Sequence, residues 1–256
     1  MSRWRGRLFE ALPPPLQPAA FRVWERLAAL RTGADQPDLP PPYLRVLTAG
    51  DTRPEAFSAL GERAADQIRR LAGSHGEPLD GSQAVLEFGV GCGRVAVWMT
   101  RRSPVLDFHG CDINPQLLAW SRAHLPGRYD LTRLEPPLPY AGDRFDLVYA
   151  LSVFTHLHQP QARAWLAELA RVTRRDGLAI LSYHDERLAQ AAPLAERLSA
   201  DGFAVLREGD EGSNLLSVYF TAAGLADHAA PHWRLEESVA SDASGVGQAL
   251  AVFRRT

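Results

Sequence analysis

The hydrophobic pattern of residues 84–183 alternates between short apolar runs and longer segments whose apolar residues recur every three or four positions. The short runs predict strands and the longer segments predict amphipathic helices. The predicted strands are residues 84–88, 106–111, 128–133, 145–150 and 178–183, and the predicted helices lie near residues 93–102, 115–123 and 160–174. Runs such as "FDLVYAL" and "LAILSY" are almost uninterrupted, which is typical of strands covered on both faces. The alternation of strand and helix therefore predicts a mostly parallel sheet between two layers of helices.

The pattern changes after residue 200. The segment "FAVLREGDEGSNLLSVYFT" predicts a β-hairpin insertion at about residues 202–220, with the acidic run "EGDEG" as a solvated turn. A short helix and two further strands, "WRLEESVA" and "QALAVFRR", follow it. Strands joined without a long crossover pair in antiparallel fashion. We therefore expect a seven-stranded sheet with an antiparallel strand at one edge.

The first 42 residues are rich in Pro and Arg and contain one amphipathic segment, "PAAFRVWERLAALR". Its apolar residues share one face of a helix, and we expect that face to pack on the main domain. A membrane-surface role is the less favoured alternative, because the segment is short and has few basic residues. We predict an N-terminal helical extension or cap at residues 1–80 and a main domain at residues 81–256.

The charge balance narrows the range of partners. The formal net charge is -2 and the sequence pI is about 6.5, so neither nucleic acid nor an anionic membrane is an expected partner. All 28 basic residues are Arg, which excludes a catalytic lysine and a Walker-type phosphate-binding lysine. The composition does not choose between a monomer and a homodimer.

The two cysteines, Cys92 and Cys111, are not part of a CxxC pair. A disulfide framework or a metal site is therefore not expected, and both residues are predicted to be buried thiols. The chain has no apolar run of membrane-spanning length, and its first residues, "MSRWRGRLFEALPPP", interrupt any signal-peptide core with charges. We expect a cytoplasmic protein without a metal.

The candidate chemistry begins with "VLEFGVGCGR", a strand followed by Gly89, Gly91 and Gly93. Ligands of open α/β sheets bind outside the carboxyl ends of the strands, where such a glycine-rich turn would lie. A nicotinamide dinucleotide site, the first alternative, places its third glycine one position later, where this chain has Arg94. The acid Glu87 would also repel a pyrophosphate.

A second acid, Asp112, ends the next predicted strand, "LDFHGCDIN", 19 residues after Gly93. A carboxylate at this position can accept hydrogen bonds from both hydroxyls of a ribose. Together, the two acids predict a nucleoside-containing ligand that lacks a diphosphate.

Four segments within residues 80–185 can be compared with a known family: "VLEFGVGCGRVA", "GCDINPQLLAWSRAHLP", "PPLPYAGDRFDLVYALSVFTHL" and "WLAELARVTRRDGLAILSYH". In order and spacing they resemble the signature segments of class I S-adenosylmethionine (SAM) dependent methyltransferases. The resemblance implies a Rossmann-like fold, SAM as the cofactor, S-adenosylhomocysteine (SAH) as its product, and a methyltransferase activity of the EC 2.1.1 type. It also implies that the glycines line the methionine and ribose of SAM, that Glu87 lies near its ammonium group, and that Asp112 binds the ribose.

The same resemblance assigns residues around the rest of SAM. Ile113 would pack on the adenine, and Leu134 and Glu135 would lie at its edge, where the family often has a small residue or an Asp. The residues expected beside the methionine moiety are Ala150, Leu151 and Ser152. The carboxylate of SAM is expected to pair with Arg45 and Arg94, although each is equally well explained as a surface arginine.

Methyl transfer from a sulfonium needs mainly orientation, and a base only where the nucleophile arrives protonated. His156 and His184, which follow the fourth and fifth strands, are the candidate catalytic bases, with a structural role as the alternative for each. His158 is predicted to face solvent. The candidate substrate-binding residues are Tyr183, Asn214 and Tyr219.

The sequence therefore predicts a methyltransferase that modifies an oxygen or nitrogen of a small-molecule acceptor, of the kind that tailors natural products or glycans. Two alternatives stay open: a non-catalytic SAM-binding partner subunit and an NAD(P)-dependent oxidoreductase of Rossmann type.

Overall fold

The computed structural model describes residue 23 and residues 39–50, 53–189, 192–212 and 216–256. The chain divides into two compact units, residues 1–58 and 59–256. Helix α1 (Pro42–Ala49) of the first unit starts with a proline, whose missing N–H costs nothing in a first turn, and ends at Gly50 in the left-handed region. Apart from Val23, the predicted helix of "PAAFRVWERLAALR" lies outside the described residues, and a capping role for residues 1–80 stays a prediction.

Helix α2 (Pro54–Ser74) leads to a seven-stranded sheet in the order β3-β2-β1-β4-β5-β9-β8. The first five strands are parallel, and β9 runs antiparallel between β5 and β8. The strands are β1 (Ala84–Phe88), β2 (Asp107–Asp112), β3 (Arg128–Leu131), β4 (Phe145–Ala150), β5 (Thr173–Tyr183), β8 (Trp233–Val239) and β9 (Ala249–Arg255). The predicted seven-stranded, mostly parallel Rossmann-like sheet with antiparallel pairing at one edge is confirmed.

Three helices cross over between the parallel strands: α3 (Ala96–Arg102), α4 (Pro115–His124) and α5 (Gln159–Val172). Every residue of β1 is buried, and apolar clusters cover the sheet on both faces. Strand order reverses at β1, which lies between β2 and β4. The loops after these strands therefore meet at the carboxyl edge of the sheet, where open α/β sheets bind ligands.

The hairpin insertion is confirmed, and it forms a two-stranded sheet of its own from β6 (Phe203–Arg207) and β7 (Ser217–Phe220). Helix α6 (Ala192–Asp201) precedes it and α7 (Ala222–Ala229) follows it. A single parallel bridge joins Tyr219 of β7 to His184, directly after β5. The hairpin is thereby attached to the carboxyl edge of the main sheet.

Strand β5 begins earlier than predicted, at Thr173 rather than at residue 178. Thr173 pairs with Phe145, and the register then shifts before Leu147 pairs with Leu178. The intervening "RRDG" contains Asp176 at a φ of 60°, so a sequence typical of a turn is accommodated as an irregularity within the strand. In the described part of the chain, no helix is both long enough and apolar enough to cross a membrane.

Candidate functional site

The glycine-rich turn after β1 places all three glycines in the left-handed region, with φ values of 81° at Gly89, 57° at Gly91 and 79° at Gly93. A Cβ at Gly89 would collide with the side chain of Val153, and one at Gly93 with that of Leu125. The protein itself therefore fills the space on the side where a Cβ would stand. Backbone conformation and packing both require glycine at these two positions.

Glu87 is buried in β1, immediately before this turn, and accepts a hydrogen bond of 2.9 Å from the hydroxyl of Tyr149. Burial raises the pKa of Glu87 to about 8, although the Tyr149 hydrogen bond and the charge of Arg94 oppose the rise. Burial likewise lowers the pKa of Arg94, and its Nε is buried without a hydrogen-bond partner among the described residues. A buried guanidinium beside a largely protonated acid is suited to an anionic ligand group.

Asp112 ends β2 next to the glycine turn. One of its carboxylate oxygens accepts the backbone N–H of Gly91 and the other that of Asn114, both at 2.8 Å. Burial raises the pKa of Asp112, and the backbone hydrogen bonds partly offset this effect. Each oxygen can accept a further hydrogen bond, so the carboxylate is fixed in place and still able to bind hydroxyls.

Two apolar side chains are unusually exposed beside Asp112: Ile113 is 44% exposed and Leu134 is 41% exposed. The Leu134 carbonyl accepts a 2.9 Å hydrogen bond from the indole N–H of Trp165, which fixes the backbone there. Glu135 follows with an exposed side chain. Ile113 and Leu134 offer apolar surface of the kind that would pack on a planar base.

The loop of the hairpin reaches this apolar pair. A Cβ built at Gly212 would lie 3.2 Å from Ile113 Cδ1 and 3.4 Å from Leu134 Cδ1, and the N–H of Gly212 donates to the carbonyl of His156 at 2.8 Å. His158 fastens the same loop, because its two ring nitrogens lie 2.8 Å from Glu211 and 2.9 Å from Glu208. The two glutamates of the acidic turn thus pair with His158, while the Glu208 side chain stays 78% exposed to solvent.

His156 and His184 are also hydrogen-bonded to the hairpin segment, in each case through Nδ1 to a backbone carbonyl. Nδ1 of His156 lies 2.7 Å from the carbonyl of Leu216, and Nδ1 of His184 lies 3.1 Å from the carbonyl of Val218. A carbonyl only accepts, so each Nδ1 carries the proton and each neutral ring keeps a lone pair on Nε2. Burial lowers the pKa of both rings, that of His184 to about 4.

A chain of polar side chains links His184 to the end of β4, where Ser152 has a φ of 60°. The N–H of Ser152 donates to Ser182 Oγ at 2.7 Å, and both hydroxyls lie within 3.1 Å of Gln248 Oε1. The amide nitrogen of Gln248 is 3.4 Å from His184 Nε2. Sequence reasoning missed Ser182 and Gln248, and the only signal was a polar residue within or next to an apolar strand.

The other predicted site residues lie in different surroundings. Tyr219 packs its ring 4.8 Å from that of His184, whereas the hydroxyl of Tyr183 is bound to Ser238 Oγ at 2.7 Å. Arg45 belongs to the first compact unit, where its guanidinium donates to the carbonyl of Pro40. Asn214 lies outside the described residues. Ala150, the last residue of β4, is buried, and Leu151, between it and Ser152, is half-buried.

The cysteines Cys92 and Cys111 are buried and are not joined in a disulfide. Burial raises the pKa of Cys111 well above its ordinary value, and its carbonyl accepts the N–H groups of Gly89 and Val90 at 2.9 Å. Within the described ranges, no group of three or more His, Cys, Asp or Glu side chains could hold a metal ion.

Sequence comparison identifies residues 85–177 as a methyltransferase domain. The chain is 32% identical over 130 residues to an uncharacterized methyltransferase of Mycobacterium sp. strain KMS, a match that covers 50% of this chain and 49% of the relative. A second relative, from Mycobacterium sp. strain JLS, is 31% identical over the same length. The chain thus spans about half the length of the curated relatives it matches.

Solved structures share the fold at low sequence identity. A TehB-like SAM-dependent methyltransferase from Corynebacterium glutamicum superposes with a TM-score of 0.53 at 17% identity, covering 95% of this chain and 100% of that one. The CcbJ methyltransferase from Streptomyces caelestis gives a TM-score of 0.55 at 17% identity, covering 77% and 90%. Residues 85–177 are therefore a methyltransferase domain with the Rossmann-like fold of the class I SAM-dependent methyltransferases.

Proposed function

We propose that this protein transfers the methyl group of SAM to an oxygen or nitrogen of a small-molecule acceptor in the cytoplasm. The observation that carries the proposal is the pair of acids, buried Glu87 and half-buried Asp112, on either side of the glycine turn at the point where strand order reverses. A ligand with a positively charged end beside Glu87 would favour the ionised form of this acid, and the resulting carboxylate would repel a pyrophosphate.

The residues fit SAM in four respects. The spare lone pairs of Asp112 would bind the ribose hydroxyls, and the exposed faces of Ile113 and Leu134 would pack on the adenine. The unpartnered Nε of Arg94 would donate to the carboxylate of the methionine moiety, and Glu87 would lie near its ammonium group. When bound, SAM supplies a methyl group already activated by a sulfonium.

The chain itself would orient the acceptor and, where needed, take its proton. His156 and His184 are neutral, and each is held through Nδ1 with a lone pair on Nε2. An imidazole in this state can accept a hydrogen bond from a hydroxyl or an amine and remove its proton during methyl transfer. The ring of Tyr219 beside His184 would form part of the acceptor surface.

A small-molecule acceptor is supported by the net charge of -2, since binding to nucleic acid needs a concentration of basic side chains. The segment "ALSV" after β4 supports it as well, because it replaces the Asn-Pro-Pro-Tyr type of tetrapeptide of enzymes that methylate nucleobases and glutamine amides.

Calorimetric titration with SAH tests the cofactor assignment. We expect the wild-type chain to bind SAH and Asp112→Asn to bind it at least about ten-fold more weakly, because one charge-assisted acceptor is lost. Asp146→Asn is the matched control: it removes the same charge at the opposite end of the sheet, where Asp146 accepts the N–H of Ala84, and should leave SAH affinity unchanged. Absence of SAH binding by the wild type, or tighter binding of NADH, would refute the proposal.

A further inference from the structure

Gln248 lies at the junction of three parts of the proposed active site. It directly precedes β9, and its side chain reaches the ends of β4 and β5. Its Oε1 is 2.6 Å from Ser182 Oγ and 3.1 Å from Ser152 Oγ, and its Nε2 is 3.4 Å from His184 Nε2. The side-chain amide therefore contacts both the proposed cofactor edge and a proposed base.

In this series of hydrogen bonds, the groups at the two ends determine which atom donates and which accepts in every bond. At one end the N–H of Ser152 can only donate, so Ser182 Oγ accepts from it and has its own proton for Gln248. At the other end the carbonyl of Val218 can only accept, so His184 is protonated at Nδ1 and unprotonated at Nε2. Gln248 joins the two ends, with its oxygen accepting from the serines and its N–H directed at the lone pair of His184.

The same contacts hold Ser152 in an unfavourable backbone conformation. A φ of 60° is uncommon for a residue with a side chain and persists only where the surroundings enforce it. At Ser152 the N–H is bound by Ser182 and the hydroxyl is bound by Gln248. Ser152 lies two residues after the end of β4, beside the proposed methionine subsite, so its position and that of His184 are set by one amide group.

We propose that Gln248 is a positioning residue of the methyl-transfer site, which presents Nε2 of neutral His184 as a hydrogen-bond acceptor and fixes it relative to Ser152. The role of His184 as an acceptor of the substrate's proton rests on the function proposed above. The contact from Gln248 is long at 3.4 Å, so a donor hydroxyl or amine of the acceptor molecule can replace it at Nε2.

Three other groups affect the ring. Burial is the main reason for the low pKa of His184, and His156 lowers it further. Asp185 acts in the opposite direction, but its carboxylate is bound by the N–H and hydroxyl of Ser241 at 2.9 Å and 2.7 Å. The ring of Tyr219 covers one side of the imidazole without adding charge. A carboxylate at position 248 would add a negative charge next to the ring and so raise the pKa of His184.

Nitrogen-15 NMR of histidine-labelled full-length chain tests the proposal without any knowledge of the methyl acceptor. His184 is assigned by the resonances lost in His184→Gln. At pH 7 the wild-type ring should show a protonated Nδ1 and an unprotonated Nε2. The opposite tautomer, or rapid averaging of the two nitrogens, would overturn the proposal.

Gln248→Glu is the decisive variant, because it keeps the shape and can still accept from both serines. Its carboxylate would accept a proton from Nε2 and stabilise the imidazolium, so the pKa of His184 should rise from about 4 by about one to three units. Gln67→Glu is the matched control: it makes the same change on α2, where Gln67 accepts from Arg70, and should leave His184 unchanged. An unchanged His184 pKa in Gln248→Glu contradicts the proposal.

Gln248→Met serves if the charged variant does not fold. It keeps the length of the side chain but cannot form these hydrogen bonds. We expect SAH affinity to fall several-fold because Ser152 is released, and the Nε2 resonance of His184 to shift because its contact with Gln248 is lost. Wild-type behaviour in both respects would overturn the proposal. Failure of wild-type chain to bind SAH would instead refute the proposed function while leaving the NMR result valid.

Discussion

At the scale of single residues, burial decides which protonation states the site presents. Glu87 has a pKa raised to about 8, while the pKa values of His156 and His184 are lowered. Near neutral pH a mostly protonated acid therefore lies at the proposed cofactor subsite and neutral imidazoles lie at the proposed acceptor subsite. In each case the cause is the cost of desolvating the charged form.

The raised pKa of Glu87 predicts a pH-dependent cost to stability. The folded state holds the proton up to about pH 8 and the unfolded state releases it near 4.5, so the stabilisation is complete below pH 4.5 and is lost as the pH rises towards 8. Glu87→Gln cannot lose a proton. Between pH 5 and pH 8, the free energy of unfolding of the wild type should therefore fall relative to that of the variant by about 2 kcal/mol or more, since one pKa unit corresponds to about 1.4 kcal/mol.

Urea denaturation at the two pH values measures this difference. Glu196→Gln, on the exposed face of α6, is the control, because solvent reaches its carboxyl in both the folded and the unfolded state. Parallel stability curves for wild type and Glu87→Gln would show that Glu87 is ionised throughout.

At the scale of elements, the glycine turn shows why a motif has to be interpreted through its packing. A Cβ at Gly89 would collide with Val153, just after β4, so packing as well as the positive φ requires glycine there. The turn also delays the following helix, which was predicted to begin near residue 93 and begins at Ala96. Strands β1 and β4 have the predicted bounds, because their uninterrupted apolar runs have clear ends.

Gly89→Ala should lower the free energy of unfolding by about 2 kcal/mol or more and weaken SAH binding. The reason is a positive φ, which costs a residue with a Cβ about 1–2 kcal/mol, together with a collision with Val153. Denaturation and calorimetry measure the two effects. The double variant Gly89→Ala/Val153→Ala removes the collision. Its loss in free energy of unfolding should then come only from the backbone cost of the new Cβ and from the missing valine side chain.

Gly73→Ala is the matched control for this substitution. Gly73 lies in α2, and a Cβ there would have no neighbour within 4 Å, so the change should stabilise the chain by up to about 1 kcal/mol. A Gly89→Ala chain as stable as the wild type would contradict the packing argument.

At the scale of the whole molecule, charge and topology support the proposed class of acceptor. With a net charge of -2, the protein has no excess of positive charge to attract a polyanion. The hairpin of β6 and β7 contributes the carbonyls that hold His156 and His184, and its loop packs on Ile113 and Leu134. One insertion thus borders the proposed subsites for both cofactor and acceptor.

Incubation with methyl-tritiated SAM and a fractionated cell extract checks the acceptor class. We expect label in the small-molecule fraction and none in RNA or DNA, with labelling strongly reduced in Asp112→Asn. Raising the salt from 50 to 200 mM should have little effect, whereas an enzyme with many phosphate contacts would lose about 1,000-fold or more in affinity. Labelled nucleic acid would contradict a small-molecule acceptor, and SAH binding without any labelled fraction would favour the non-catalytic subunit.

The sequence by itself determined the sheet, its parallel core, the hairpin and the turn with its two acids. These features depend on local periodicity, on backbone freedom at glycine, and on the position of polar residues at strand ends. They are encoded within short segments and can be recognised there.

The tertiary structure alone decided the partners of those residues. Gln248 lies 96 positions from Ser152 and Val218 lies 34 positions from His184, so nothing local marks them as neighbours. The pairing of His158 with Glu208 and Glu211, and the tautomers of the two buried imidazoles, likewise follow from the way the hairpin folds back on the sheet. Hydrogen bonds between distant segments and the desolvation that shifts a pKa are properties of the assembled fold, which periodicity along the chain does not encode.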